Sequence, residues 1–261
     1  MERWRGKWAV VTGASAGIGT ALAESLAAGG THLVLTSRRM DRLEELAKKL
    51  SAAHGVRVET FACDLANPVA PEEILRFTNS KQLEIDLLIN NAGFGAYGAF
   101  HKSDLARQLE MIRVNCSAVV HLTRLYLPAM VERRRGDILI VASAAGFQGV
   151  PYISTYAATK AFDLLFAEAL AEEVVRSGVR VCALCPGSTT TEFQQVAAQP
   201  DRNFRHAETA EKVARVGLEA LARGKSCVIS GWMNTLNTEM ERFAPRRLVT
   251  RAAAKMFEPK N

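Results

Sequence analysis

Two kinds of hydrophobic pattern alternate along this chain. Short runs of consecutive apolar or β-branched residues fall at Trp8–Thr12, His32–Ser37, Val56–Phe61, Ile85–Asn90, Asp137–Ala142, Val179–Cys185 and Ser226–Ser230. Between them lie longer stretches whose apolar positions recur at the helical period: Ala16–Ala28, Met40–Ala53, Asp104 to about Glu132, and about Ile153 to Ser177. Strands alternating with helices predict βαβ units and a parallel sheet. Runs that stay apolar on successive residues predict strands covered by helices on both faces. Seven such runs without a Ser/Gly-rich linker predict a single doubly wound α/β domain. The segment Gly187–Phe204 breaks the pattern: it is polar, contains Pro200 and Asn203, and reads as a mobile loop or short helical lid.

Composition agrees with that picture and narrows it. With 261 residues, of which 48% are hydrophobic, the chain has ample material for a core and is neither disordered nor collagen-like. No apolar run approaches the roughly 18–20 residues that span a bilayer. The start, Met1 to Trp8, lacks the apolar stretch of a signal peptide. Five cysteines imply no disulfide framework and fit a reducing, cytoplasmic setting. The net charge of +6 is local. Arg242–Asn261 carries six basic residues (Arg242, Arg246, Arg247, Arg251, Lys255, Lys260) against one acidic residue (Glu258), which leaves +1 for residues 1–241. The body therefore carries no nucleic-acid signature and is followed by a basic extension, 242–261. Within Pro245–Phe257, helical spacing puts Leu248, Val249, Ala252, Ala253, Met256 and Phe257 on one face. Such a helix is expected to pack on a neighbouring subunit or cover a cleft. A peripheral membrane contact or an acidic partner is the alternative.

The first chemical signal is the turn after strand one, Thr12-Gly13-Ala14-Ser15-Ala16-Gly17-Ile18-Gly19. Glycines here let the backbone turn tightly and bring N–H groups up to a pyrophosphate at a helix N-terminus. The same letters contain Gly13-x-Ser15-x-Gly17, the nucleophile elbow of an acyl hydrolase. That rival reading is weak, because elbows follow several strands and none of His32, His54, His101, His121 or His206 makes an evident partner. At the end of strand two stand Ser37, Arg38 and Arg39, where an NAD site would place a carboxylate on the ribose. Arginine there suits a 2′-phosphate, so NADP(H) is expected over NAD(H). Asp64, followed by Leu65 after strand three, is placed to accept from an adenine amino group.

The second signal is a trio. Ser143 follows strand five, Tyr156 comes thirteen residues later, and Lys160 lies four further on. Residues i and i+4 share a helical face. An ammonium beside a phenol favours the phenolate, which brings a group titrating near ~10 towards useful base strength.

With these motifs in order the chain resembles the short-chain dehydrogenase/reductase superfamily, in its ketoacyl and hydroxysteroid reductase-like branch, from about Lys7 to Ser230. The resemblance rests on Thr12–Gly19, Asp64, Asn90-Asn91-Ala92-Gly93, Asn115, Ser143, Tyr156-x-x-x-Lys160 and Pro186-Gly187. It implies a Rossmann-like fold with a central seven-stranded parallel sheet, and reversible hydride transfer between a nicotinamide and a carbonyl or alcohol carbon. It further implies that Tyr156 is the general acid and base, and that Ser143 polarises the substrate oxygen. Lys160 would tune Tyr156 and hold the nicotinamide ribose, and Asn115 would hold a relay water. Asn91, Ala92 and Gly93 would line the cofactor cleft, and Pro186, Gly187, Thr189 and Thr191 would face the carboxamide and phosphates. Two departures stand out. Asn115 is followed by Cys116-Ser117-Ala118 rather than the family's usual x-x-Gly. Ala16 sits where many NADP-dependent members have a basic residue, which shifts the 2′-phosphate onto Arg38, helped by Ser15, Ser37 or Arg39.

Phe94, Tyr97, Phe147, Tyr152 and Phe193 flank these positions and predict an apolar ketone, acyl or steroid-like substrate. Cys182 and Cys185 lie three apart on a strand, so they point to opposite faces and read as buried thiols, not metal ligands. A catalytically silent NADP sensor is the remaining alternative, weakened by the retained Tyr–Lys pair. The resemblance also implies a homodimer or homotetramer through the Asp104–Glu132 and Ile153–Ser177 helices.

Overall fold

The computed structural model describes residues 2–200 and 207–259. Seven strands form the parallel sheet: β1 (Trp8–Thr12), β2 (His32–Ser37), β3 (Val58–Ala62), β4 (Ile85–Asn90), β5 (Gly136–Val141), β6 (Val179–Cys185) and, at one edge, β9 (Cys227–Ile229). They lie in the order β3-β2-β1-β4-β5-β6-β9, every neighbouring pair parallel. The reversal falls between β1 and β4, so a crevice opens at their carboxyl ends, where open α/β sheets bind ligands.

Strand alternation sorts the core into two layers. Ala9, Val11, Leu33, Leu35, Leu87, Ile89, Cys182 and Leu184 pack beneath α1 (Gly17–Ala28), α2 (Met40–His54) and α8 (Ala210–Ala222). Val10, Val34, Leu88, Ile138, Ile140, Ala183 and Cys185 pack beneath α3 (Ala70–Ser80), α5 (Ala118–Glu132) and α6 (Ser154–Val174). Cys182 and Cys185 are fully buried in opposite layers.

Three features depart from the expectations. The stretch expected as one helix from Asp104 to Glu132 is broken: α4 (Leu105–Ile112) and α5 are joined by a π-helical turn, Arg113–Ser117. The break goes with a tertiary contact: the wide turn swings Asn115 into the interior, where it meets Phe94 and Thr159. Helices α3 and α8 were not anticipated, although Pro71 sits in the first turn of α3 and Thr209 caps α8 through Lys212 N. The polar segment after β6 contains β7 (Thr189–Thr190), paired with β8 (Glu208–Thr209), and one helical turn, α7 (Phe193–Val196). The rest of the predicted lid, 201–204, lies outside the described residues, as does His206.

Two further helices complete the chain, α9 (Trp232–Glu241) and α10 (Arg246–Phe257). Only part of the predicted apolar face of α10 is covered: Ala253 is buried beside Val150, Ile153 and Ala157, with Phe257 packed on them. Leu248 and Met256 are 56% and 66% exposed. Among the described residues no helix is long and apolar enough to cross a membrane.

Candidate active site

The crevice at the carboxyl ends of the strands holds a cavity of about 570 Å³. Its first wall is the glycine turn. Gly13 has φ +66°, and a side chain there would meet the Ala92 backbone and the Asn91 amide. Gly19 lies behind the turn against the Gly13 carbonyl and Asn91, with no room for a Cβ, and does not line the cavity. The Asn91 amide donates to the carbonyls of Thr12 and Gly13, and the Thr12 hydroxyl accepts from the amides of Asn91 and Ala92. This lattice locks the turn onto the end of β4. Helix α1 starts at Gly17 with no side-chain cap, so its first N–H groups stay available to an anion.

At the end of β2 the structure separates the two arginines. Arg39 reaches the glycine turn, its guanidinium donating to the Ser15 hydroxyl at 3.0–3.1 Å and to the Ser15 carbonyl at 3.3 Å. The Ser37 hydroxyl accepts from the Arg39 amide. Arg38 leans away, 3.7 Å from Glu110. Arg39 is therefore the cation against Ser15, while Arg38, which the sequence puts first for a 2′-phosphate, lines the same cavity beside Glu110. Glu192 bridges Arg39 and Arg42, at 2.8 and 2.5 Å, and those two arginines hold its carboxyl below the usual range. An arginine cannot serve as a base. Ser15 is thus a clamp in the turn, and the hydrolase reading fails on geometry.

The opposite wall carries the trio. Tyr156 and Lys160 lie on the first turns of α6. Ser143 follows β5 and caps a short 3₁₀ turn, accepting from Ala145 N. The Ser143 hydroxyl points to the Pro186 carbonyl at only 3.5 Å, a long contact that leaves its proton available. Burial pushes the Tyr156 phenol up, while the Lys160 charge and the Ser143 hydroxyl pull it down. The Phe193 ring covers Tyr156, centroid to centroid 5.2 Å.

Lys160 is 4% exposed. Its Nζ donates to the Val141 carbonyl at 2.7 Å and to Asp163 Oδ2 at 2.9 Å. Asn115 is fully buried behind the cleft: its amide donates to Phe94 O and Thr159 Oγ1, and its oxygen accepts from Phe94 N. It stitches the segment after β4 to α6.

Apart from Gly19 and Asn115, every residue expected at the site lines this one cavity, including Ala16, Ile18, Asp64, Leu65, Gly93, Pro186, Gly187, Thr189 and Thr191. Of the five aromatic pocket candidates only Phe94 and Phe193 do so. Tyr97 and Tyr152 line a small neighbouring pocket, and Phe147 packs into the core. In their place come Val150 and Ile153, Asn237, Thr238 and Glu241 of α9, and Met256 and Phe257 of α10. Beyond the amphipathic tail no sequence signal marked these. Asp163 was also missed, since one acid on a long helix reads as surface.

A uncapped helix N-terminus at a glycine turn, a sheet crevice, and a Ser–Tyr–Lys cluster across it define a dinucleotide-binding α/β oxidoreductase. Comparison with known proteins agrees. The short chain dehydrogenase family pattern matches residues 7–202. The chain is 36% identical over 244 residues to the very-long-chain 3-oxoacyl-CoA reductase of Mus musculus, covering 91% of this chain and 77% of that protein. It is similar to a short-chain dehydrogenase from Sphingobium yanoikuyae in complex with NADPH, with TM-score 0.82, 29% identity, and 91% and 94% of the two chains covered. It is also similar to a 7β-hydroxysteroid dehydrogenase, with TM-score 0.87, 25% identity, and 96% and 98% covered. This chain belongs to the short-chain dehydrogenase/reductase superfamily, and it is an NAD(P)-binding oxidoreductase.

Proposed function

We propose that the protein reduces the carbonyl of an apolar ketone, acyl or steroid-like substrate with NADPH, reversibly, and that the observation carrying this reading is the convergence of Ser143, Tyr156 and Lys160 on one cleft with the glycine turn. The cofactor, when bound, supplies or accepts the hydride. The protein's share is to hold the reactants and move one proton. Residues Gly13 to Ile18 and the start of α1 would hold the pyrophosphate. Arg39 and Ser15, with Ser37 and Arg38 nearby, would hold a 2′-phosphate, and Asp64 would accept from the adenine. Lys160 would hold the nicotinamide ribose, and Asn91, Gly93, Pro186, Gly187, Thr189 and Thr191 would serve the nicotinamide end.

In reduction, Ser143 donates a hydrogen bond to the substrate oxygen and Tyr156 gives that oxygen its proton. In oxidation Tyr156 takes the proton back. Lys160 lowers the cost of the phenolate. Asn115, holding the loop at Phe94 to α6 at Thr159, supports the proton path by fixing the wall beside Lys160. The substrate lies under Phe94, Phe193, Val150, Ile153, Met256 and Phe257, an apolar enclosure that favours uncharged, bulky carbonyls over sugars.

The outward faces of α4, α5 and α6 expose Leu105, Leu109, Ile112, Val120, Phe162 and Leu165, a surface suited to a second copy of the chain. Oxidation of NADPH on a panel of bulky ketones tests the activity. Failure of every ketone on such a panel, with NADPH still bound, returns the reading to a cofactor sensor.

A further inference from the structure

Helices α9 and α10 roof the cleft with their inner sides, and their outer sides carry an unusual surface. Trp232, Met233, Leu236, Met240 and Phe243 are exposed by 75%, 54%, 50%, 62% and 91%. At 100° per residue they fall on one arc of α9 and the turn after it, opposite the buried Thr238. The next helix, α10, exposes Leu248 together with Arg246, Arg247, Arg251 and Lys255, with Met256 at its cleft edge, and Arg242 lies between the two helices in sequence. Glu239, paired to Arg242, Glu241 at the cleft and Glu258 are the acids of this face. Large exposed apolar side chains, one of them tryptophan, followed along the chain by exposed basic residues match the chemistry of a bilayer interface with anionic headgroups. A second copy fits poorly, because a two-fold contact would set two cation-rich segments against each other.

We propose that the α9–α10 face docks on an anionic lipid surface, with Trp232 and Phe243 entering the headgroup layer; this docking does not depend on the function proposed above. Trp4 and Trp8 are 1% and 7% exposed, so Trp232 is the fluorescent reporter of this face. Phosphatidylcholine vesicles containing phosphatidylserine are expected to shift its emission to the blue, let brominated lipid quench it, and sediment the protein. High salt, or the triple change Arg246→Gln, Arg247→Gln, Arg251→Gln, should weaken this at least tenfold. Trp232→Ser with Phe243→Ser should abolish sedimentation while leaving the melting temperature unchanged. No shift with such vesicles overturns the proposal. So does a concentration-dependent blue shift without lipid that tracks dimer formation in sedimentation equilibrium.

A separate observation concerns the interior. Asp163 is fully buried, its Oδ2 holds Lys160 Nζ at 2.9 Å, and its Oδ1 has no hydrogen-bond partner. The other titratable groups facing the pair are Tyr156 on α6, Cys116 on the π-helical turn and, through Tyr156, Cys185 on β6. We infer that Asp163 is a positioning residue: it is the counter-ion that keeps the buried Lys160 an ammonium, and through Lys160 it acts on Tyr156. Burial by itself drives a lysine towards the neutral amine, and it is the strongest single influence here; the charge and hydrogen bond of Asp163, with Tyr156 and Cys116 beside it, together hold Lys160 above the usual lysine range. Without the carboxylate, one carbonyl remains to hold a buried cation, and the amine gives up its proton. This role rests on the proposed function, but its test does not. Tyrosine-¹³Cζ NMR of the cofactor-free protein, with Tyr156 assigned through Tyr156→Phe, follows the phenol directly. In Asp163→Asn and Asp163→Leu its titration midpoint should move up by a pH unit or more, and the alkaline limb of alcohol oxidation should follow. An unchanged or lowered midpoint in the folded variants overturns the inference. If Asp163→Asn fails to fold, Asp163→Leu, which removes the polar group altogether, decides it.

Discussion

The floor and the roof of the cleft are built on opposite principles. On the floor, Lys160, Asp163 and Asn115 are buried, and their hydrogen bonds run to Val141, Phe94 and Thr159 on three different elements. On the roof, α9 and α10 hold the cleft with few buried residues, Thr238 in one and Ala253 in the other, and the Tyr97 hydroxyl donates to the Phe257 carbonyl at 2.7 Å. Buried polar groups are costly to leave unpaired, so Lys160 Nζ and Asn115 are held by specific partners, and Asp163 Oδ1 is the one polar atom of the three side chains without a hydrogen bond. A roof held by a few apolar contacts can change composition without unfolding the sheet. Under the proposed function, proton transfer falls to the first kind of construction and substrate choice to the second.

If the floor is the chemical engine, Tyr156→Phe should lower kcat by about 10²- to 10⁴-fold, the usual worth of a positioned acid or base. Isothermal titration should show cofactor affinity nearly unchanged. A variant that kept its turnover would remove Tyr156 from the proton step. The glycine turn belongs to the floor as well. Gly19→Ala pushes a methyl into the Gly13 carbonyl and Asn91, and should cost about 1–3 kcal/mol of stability, as overpacking does, and weaken NADPH binding in parallel. Thermal melts with and without cofactor measure both.

At the rim between floor and roof, Arg39→Ala should weaken NADP(H) by about 10- to 100-fold, the scale of one or two charge-assisted hydrogen bonds, and leave NAD(H) nearly untouched. Equal losses for both cofactors would show Arg39 to be structural. The pH profile sharpens the floor's role. Burial raises the Tyr156 phenol, so alcohol oxidation, which needs the phenolate, should climb as pH rises through the alkaline range. Ketone reduction, which needs the phenol, should stay level through neutrality. The smallest effect is expected on the roof. Met256→Ala should raise KM for bulky ketones about threefold, the worth of part of a buried apolar side chain, and leave kcat on small ones in place. A loss of kcat on every substrate would erase the distinction between floor and roof.

The elements that proved legible are those with one local cause. β1, β2, β4, β5 and β6 were read within a residue, because strands covered on both faces are apolar on every position. Tyr156, Lys160 and Ser143 were legible through spacing, and the glycine turn through residues that tolerate close backbone approach. The break between α4 and α5 was not legible. Its sequence is regular, and the π-helical turn is explained only by what Asn115 meets across the cleft. Arg38 and Arg39 are adjacent letters, and only the direction of the chain leaving β2 decides which one reaches Ser15. Tyr97, Phe147 and Tyr152 carry the right chemistry for a pocket and point elsewhere, while Met256 and Phe257 arrive from the far end of the chain.

Sequence by itself determined the doubly wound sheet, the glycine turn and the Ser143, Tyr156 and Lys160 trio on which the proposed proton transfer rests. Each depends on periodicity, on glycine's missing side chain, or on two side chains one helical turn apart, and all of these are local. Tertiary structure alone decided that Lys160 is paired with Asp163, that Arg39 rather than Arg38 holds the turn, and that the C-terminal helices roof the cleft. Those outcomes are contacts between segments distant along the chain, or a choice between neighbours made by packing. Burial and distance settle such contacts, and neither quantity exists until the chain has folded.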